Sequence, residues 1–162
     1  MKNEQIKTGR LILRDIQPED AIFIVGLRSD PAIYKYFKNP VKIDIESHNC
    51  WYSKSYICDD DRVDMIAIEV TTGERVGVFG IRRLGSNVAE LSYILSPDMM
   101  GKGYATEAMN TIIAFFSEDW DINRFIAEIH KDNQASIYFI EKLGFKKASS
   151  EGEFNNYVLY KN

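Results

Sequence analysis

The chain divides into blocks by the way its apolar positions recur. Arg10-Leu11-Ile12-Leu13-Arg14 has an apolar centre between charged ends and reads as a short strand. Pro18-Glu19-Asp20 opens an amphipathic helix to about Leu27, with Ile22, Phe23 and Val25 among its apolar residues. Asp30-Pro31 sets a capping side chain before a proline at the first helical position, which starts a brief helix around Ile33, Tyr34 and Phe37. Asn39-Pro40 stops it. Residues 45–57 form a second amphipathic segment, closed by Asp59-Asp60-Asp61. Its Trp51, Tyr52 and Tyr56 stand at helical spacing and read as core, or in part as the wall of a pocket.

A period of two then takes over. Residues 63–70, 75–82 and 88–95 read as strands joined by turns at Thr72-Gly73 and Gly85-Ser86-Asn87 and ended by Ser96-Pro97, an antiparallel meander. Past it the spacing returns to helical over 104–116. A strand over 124–129 follows, then a helix over 133–143 with Asn133 as N-cap and Gly144 just past its end. Strands from Phe145 and over 157–161 close the chain. The pattern predicts one α+β domain over residues 1–162, with a βαβ unit in its second half.

Composition narrows the classes of partner. At 162 residues, 45% of them hydrophobic, a single domain needs neither disulfide nor metal to hold a core. A formal net charge of -4 argues against non-specific nucleic-acid binding and suits cationic partners such as amines or basic tails. No apolar run approaches the roughly 18 residues of a membrane span, and the opening Met1-Lys2-Asn3-Glu4 has no apolar stretch of a signal peptide. Cys50 and Cys58 make no disulfide framework, so a reducing, cytoplasmic setting is expected. His48 and His130 lack metal-ligand spacing, and no metal is expected.

The stretch Leu95-Ser96-Pro97-Asp98-Met99-Met100-Gly101-Lys102-Gly103-Tyr104-Ala105-Thr106-Glu107-Ala108 concentrates the chemistry. A strand ends, a Gly-x-Gly loop follows and a helix begins. Helix N-termini present free N–H groups and the positive end of a dipole, so they bind anions. Glycines let the backbone come close and adopt positive φ. A pyrophosphate-bearing cofactor suits such a loop. Both common nucleotide loops fail here: Ser96 stands where a Walker A glycine belongs, and Thr106 where a dinucleotide fingerprint needs its third glycine. The residues alone leave a phosphate loop and a plain strand-to-helix turn both open.

Gly101-Lys102-Gly103-Tyr104-Ala105-Thr106-Glu107-Ala108 resembles the acetyl-CoA loop of the GNAT superfamily of N-acetyltransferases, Gln/Arg-x-x-Gly-x-Gly/Ala. Met100, Gly103 and Ala105 occupy its defined positions, and Met100 departs from Gln or Arg. Thr8-Gly9-Arg10-Leu11-Ile12-Leu13-Arg14 is similar to the opening of RimJ/RimL-type members. Asn133-Gln134-Ala135-Ser136 followed by Glu141-Lys142-Leu143-Gly144-Phe145 resembles their later signature, and Ala89-Glu90-Leu91-Ser92-Tyr93-Ile94-Leu95-Ser96-Pro97 their strand into the loop. The four segments run in register over nearly the whole chain.

This resemblance implies a mixed, mostly antiparallel twisted sheet flanked by helices, with a central splayed strand pair. It implies acetyl transfer from acetyl-CoA to a primary amine by direct attack, with no metal. Pantetheine would lie between the strand over 91–96 and that over 124–129, pairing with backbone near Ile94, Leu95 and Ser96. Amides of Gly101, Lys102, Gly103, Tyr104, Ala105 and Thr106, next to Met100, would hold the pyrophosphate, with Asn133 near the pantetheine arm. A backbone N–H near Leu95 would polarise the thioester carbonyl.

Glu90 is the candidate base, directly or through water, and the competing reading is an ordinary surface or salt-bridged residue. A carboxylate at its usual pKa of about 4.3 is a weak base unless its site raises it. Many superfamily members place a tyrosine acid just before the Glu-Lys of the last helix, where this chain has Ile140. Ser136 is the RimJ/RimL-type substitute for stabilising the thiolate, and it equally suits a first-turn capping role. Tyr138, the nearest tyrosine, is two residues off, about 200° round a helix. RimJ/RimL-type enzymes act on protein N-terminal amines; relatives act on polyamines, aminoglycosides or amino acids. Met100 and Ile140 keep a non-catalytic acyl-CoA-binding sensor open as a second class. Monomer and homodimer are both compatible with the residues.

Overall fold

The alternating segments pair into one eight-stranded sheet in the computed structural model, which describes residues 4–162. Met1, Lys2 and Asn3 of the opening segment lie outside the described residues. β1 (Gln5–Lys7) and β2 (Leu11–Asp15) lead through a 3-10 turn at Pro18–Asp20 into α1 (Ala21–Arg28) and α2 (Pro31–Tyr34). α3 (Ile45–Lys54) and a 3-10 turn at Tyr56–Cys58 precede the meander of β3 (Arg62–Glu69), β4 (Arg75–Gly85) and β5 (Val88–Leu95). Then come α4 (Tyr104–Asp119), β6 (Arg124–His130), α5 (Gln134–Lys142), β7 (Lys146–Glu151) and β8 (Phe154–Tyr160). The strand order is β1-β2-β3-β4-β5-β6-β8-β7, antiparallel except for the β5–β6 pair.

Period two sends successive side chains to opposite faces, and both faces are covered. Leu11, Leu13, Met65, Phe79, Ile81, Leu91, Phe125 and Tyr157 pack under Met109, Ile112 and Phe116 of α4 and Ile140 of α5. On the other face Ile66, Ile68 and Val78 meet Ile24 of α1, Trp51 and Tyr52 of α3, and Tyr56. Of the aromatic residues of the 45–57 segment, Tyr56 is buried in this core, and Trp51 and Tyr52 pack against it half-buried. Trp120 packs edge-on against Phe116 with Arg83 over its ring. Cys50 and Cys58 are free and exposed. Among the described residues no helix is long and apolar enough to cross a membrane.

Three details depart from the sequence pattern. β1 was not anticipated, because three residues with one half-buried side chain carry no period. The first helix opens as a 3-10 turn, because Asp20 turns inward to accept the Gln17 N–H at 2.8 Å instead of facing solvent. Phe145 is a buried loop residue ahead of β7, and all six residues of that edge strand are exposed.

Asp20 is fully buried yet ionised by design of its surroundings. Arg14 donates to it at 2.7 and 3.0 Å and Arg75 at 3.0 Å. Burial pushes its carboxyl up, but these donors and the Gln17 N–H outweigh it and hold the carboxyl below the usual range. The group ties β2, the start of α1 and the start of β4 together. Its folded pKa lies below the unfolded value of about 3.9, so its stabilisation is complete above that pH and lost as pH falls through the folded value. Asp20→Ala should cost roughly 3 kcal/mol by leaving two arginines facing a void. Asp20→Asn should flatten the acid limb of stability against pH. Urea unfolding between pH 3 and pH 7 reads both; unchanged midpoints would contradict the assignment.

Candidate active site

The sheet opens at its only parallel pair. β5 and β6 are in register at Val88–Arg124, Ala89–Phe125 and Glu90–Ile126, and no further. Beyond Glu90, β5 stays with β4 as far as Gly77–Leu95, and β6 stays with β8 as far as His130–Phe154. The two strands therefore part, and the backbone of Leu91, Ser92, Tyr93, Ile94 and Leu95 has a partner on one side only.

The loop after β5 ends at the N-terminus of α4. Gly101 and Gly103 have φ of 76° and 80°, a left-handed region costly for other residues. Among the described residues the amides of Gly101, Lys102, Gly103, Tyr104, Ala105 and Thr106 donate to no backbone carbonyl. Such a run of unpaired N–H groups at a helix start is the donor set a pyrophosphate requires. Met100 is exposed, so its departure from Gln or Arg leaves the amides untouched.

A segment more than ninety residues upstream holds this loop. Glu107 accepts from Thr8 Oγ1 at 2.5 Å, from the Arg10 N–H at 2.8 Å and from Arg10 Nε at 2.7 Å. Arg10 Nη1 donates to the Lys102 carbonyl at 2.8 Å, and its guanidinium lies over the Tyr104 ring. Burial pushes the Glu107 carboxyl up, but Thr8 and Arg10 outweigh it and hold it below the usual range. The opening Thr-x-Arg segment thus braces the Gly-x-Gly loop.

Across the gap, α5 begins at Asn133, whose side chain accepts the Ser136 N–H at 3.3 Å. Ser136 Oγ lies 2.5 Å from the Tyr93 hydroxyl, so one hydrogen bond bridges the parted strand β5 to α5. Phe139 meets the Tyr93 ring edge-on at 4.9 Å. Burial pushes the Tyr93 phenol up to about 12, so it stays protonated at neutral pH. Ile140 is fully buried. Tyr138 is 68% exposed and lies beside Lys142, turned away from the Ser136–Tyr93 pair.

The α1–α3 face of β3, β4 and β5 bounds a cavity of about 230 Å³ whose lining includes Arg28, His48, Trp51, Arg62, Asp64 and Ile94. Asp64 is buried in β3 and pairs with Arg62, Nη2 at 2.9 Å and Nε at 3.1 Å. Burial pushes the Asp64 carboxyl up, opposed by Arg62. Arg62 also lies 4.9 Å from the Trp51 ring. Gly80 keeps the carboxylate open toward β5: a Cβ there would sit 2.5 Å from Asp64 Oδ1 and 2.6 Å from Ser92 Oγ. Glu90 is half-buried on the face that carries Ile94, four residues or about 13 Å along the strand. Beside it, Lys38 Nζ lies 2.7 Å from Glu128 Oε1. His130, Asp132 and Glu153 form an exposed cluster within 4.8 Å, in which Lys131 Nζ holds Glu153 at 3.1 Å.

Residues 10–146 match the family model described as the acetyltransferase (GNAT) domain. The chain belongs to the GNAT family. It is an acetyl-CoA-dependent acetyltransferase acting on an amine. An N-acetyltransferase of Bacillus licheniformis, p20, described as uncharacterized, is 28% identical over 158 residues, covering 95% of this GNAT chain and 87% of its own. The spermidine N-acetyltransferase of Vibrio cholerae, solved with CoA and spermine, shares the fold at a TM-score of 0.83 and 18% identity, over 94% of this chain and 96% of that one. RimL, the ribosomal L7/L12 alpha-N-protein acetyltransferase solved with CoA, shares it at 0.83 and 17% identity, over 97% and 98%. At these identities the two structures speak for the GNAT fold alone.

Sequence reasoning on this GNAT chain passed over Tyr93, Arg28, Arg62 and Asp64. Alternation along β5 places Tyr93 on the face of Leu91 and Leu95, and a charged Asp64 inside an apolar strand was a visible signal. Nothing in the sequence linked Arg28 to them. The brace makes its own prediction. Glu107→Gln and Arg10→Ala should each cost about 1–2 kcal/mol, and the double variant little more than either alone. Additive losses in urea unfolding would show that the two groups act separately.

Proposed function

We propose that the amides of residues 101–106 hold the pyrophosphate of acetyl-CoA and that the opening beyond Glu90 takes its pantetheine arm. The run of six amides without backbone acceptors, closed by two left-handed glycines, carries this reading. Bound there, acetyl-CoA supplies an acyl group activated as a thioester. Ile94 and Leu95 present backbone to the arm, whereas Ser96, expected to do the same, gives its N–H to the Val76 carbonyl at 2.8 Å and takes the Met99 N–H at 2.9 Å; Asn133 caps α5 beside the arm. The acceptor amine enters from the α1–α3 face, on which Ile94 borders the cavity.

Two proton movements need groups of this chain. The ammonium of the acceptor must lose a proton, and Glu90 takes it along a chain of several waters, from the face of β5 that also carries Ile94 but about 13 Å along the strand, too far for one bridging water. The departing sulfur needs a hydrogen-bond donor. Either hydroxyl can be the donor between Tyr93 and Ser136; with Tyr93, kept protonated by burial, donating to Ser136 Oγ, the serine proton is left to point at the sulfur. The pair thereby replaces the tyrosine that Ile140 removes. Tyr138 takes no part.

The acceptor is a primary amine. A cavity of about 230 Å³, room for roughly eight waters at ~30 Å³ each, favours a small molecule over a protein N-terminus, the substrate class of RimL.

Thiol release from acetyl-CoA, with N-terminal peptides, spermidine, an aminoglycoside and amino acids beside a no-acceptor control, tests the reading. Acceptor-dependent release is expected; CoA binding without release for any amine would favour a sensor. Gly103→Glu should weaken acetyl-CoA binding at least tenfold by setting a carboxylate against the pyrophosphate, and undiminished affinity would remove the loop assignment. Glu90→Gln should lower kcat on the order of a hundredfold and alter the pH profile. Tyr93→Phe should lower kcat with little change in KM for the amine. A Tyr93→Phe enzyme of full kcat would take the pair out of the chemistry.

A further inference from the structure

The charges around the cavity do not balance. Asp64 is committed to Arg62 by a two-pronged ion pair. Arg28, at the last position of α1, lines the same cavity and has no ion-pair or hydrogen-bond partner among the described residues. Its Nε is shut off from water without an acceptor, its guanidinium carbon lies 5.2 Å from the Phe37 ring, and it feels the charge of Asp64, which favours it, and of Arg62, which opposes it, without a hydrogen bond to either. A guanidinium does not shed its proton to escape burial. A buried donor left unpaired costs stability, more when it is charged. The carbonyl end of α1 favours a cation nearby, but that effect operates equally on an exposed arginine and gives no reason to bury Nε.

The neighbours are those of an oxyanion site. His48 is buried on the cavity wall, and burial, then Arg28, lowers its pKa, so it is neutral at pH 7 with one ring N–H to give. Ser47 adds a hydroxyl to the lining. Arg62 lies 4.9 Å from the Trp51 ring and takes the hydrogen bonds of Asp64, which Arg28 reaches only through its charge. The Tyr56 hydroxyl accepts the Asp64 N–H at 3.0 Å and fixes the backbone there. One cation is left over, with donors beside it and apolar walls around it.

From this arrangement we infer that the cavity binds an acceptor which carries, besides its amine, a carboxylate or phosphate group held by Arg28, with the amine directed toward Ile94. The inference rests on the acetyl-transfer reading for the amine's destination and on the cavity alone for the anion. It selects amino acids and amino phosphates. A polyamine would bring only positive charge to a cavity that already holds an unpaired guanidinium. The fork of Arg28 matches either oxyanion.

Thermal melts and calorimetry on the whole protein with CoA test it. The probes are the standard amino acids, each beside its carboxamide, 2-aminoethyl phosphate beside ethanolamine, and spermidine. At least one acid-bearing amine should bind tenfold to a hundredfold more tightly than its neutral twin, and the amino-acid and phosphate arms identify the oxyanion. Arg28→Met should abolish that preference, keep the affinity for acetyl-CoA and melt no lower than the wild type, because it removes a half-buried guanidinium whose Nε has no acceptor. Arg28→Lys should keep part of the preference. No preference for any acid-bearing amine, tightest binding of spermidine, or an unaltered preference in Arg28→Met would each overturn the inference, and a clearly lower melting point of Arg28→Met would assign the guanidinium to structure instead. Thiol release run alongside separates the two readings. Acid-selective binding without release would overturn the proposed transfer geometry and support the anion site; release with spermidine or peptides alone would overturn the anion site and leave the transfer geometry standing.

Discussion

Every functional feature of this chain depends on two strands that stop pairing. β5 and β6 are held in parallel register for three residue pairs and then diverge. Unpaired backbone in a sheet interior is costly unless something else satisfies it, and the chain commits β5 to β4 and β6 to β8 to limit that cost. The free side of β5 then offers an extended chain of peptide groups, which suits a linear, amide-bearing ligand such as pantetheine. The Tyr93–Ser136 bond crosses the opening and keeps α5 at a fixed distance from the strand. The opening is therefore built and held, which distinguishes it from fraying at a strand end.

Anchoring of the loop follows from the same need. An anion site of backbone amides works only if the amides are aimed before the ligand arrives. Two glycines supply the conformation but no rigidity, since glycine has the most conformational freedom to lose. Thr8 and Arg10 supply the rigidity through Glu107 and the Lys102 carbonyl. This gives the opening Thr-x-Arg segment a physical role, although it lies on β2's side of the molecule and far from the loop in sequence.

What could be read from sequence divides along the same line. β5 was bounded correctly at residues 88–95 because an alternating strand between two turns has few alternatives. The loop was legible because glycine spacing and a following helix are local signals. The parting of β5 and β6 was implied by family resemblance alone, since register is a property of two segments. Tyr93 and Arg28 escaped for a related reason: Tyr93 draws its meaning from Ser136, brought close on α5, and Arg28 from the lack of a hydrogen-bonded counter-ion in the folded cavity, whereas Asp64 pairs with Arg62 only two residues along the strand and was a legible signal passed over. A missing counter-charge cannot be read from a sequence that is acidic overall.

Two arginine–carboxylate arrangements and one arginine without a carboxylate on the α1–α3 side argue the last step together. Asp20 takes two arginines and is completely satisfied. Asp64 takes one and is satisfied with it. Arg28 takes none. A fold that twice neutralises buried charge with bidentate geometry has the means to do so a third time, and a single acidic residue on α3 facing Arg28 would suffice. Ser47 and His48 stand there instead, two groups that donate hydrogen bonds without cancelling the charge. A half-buried guanidinium with an unsatisfied Nε and no hydrogen-bonded counter-ion is what a site for an anionic ligand requires before the ligand binds, and it lines the same cavity as Ile94 of the strand that the acyl donor is proposed to line.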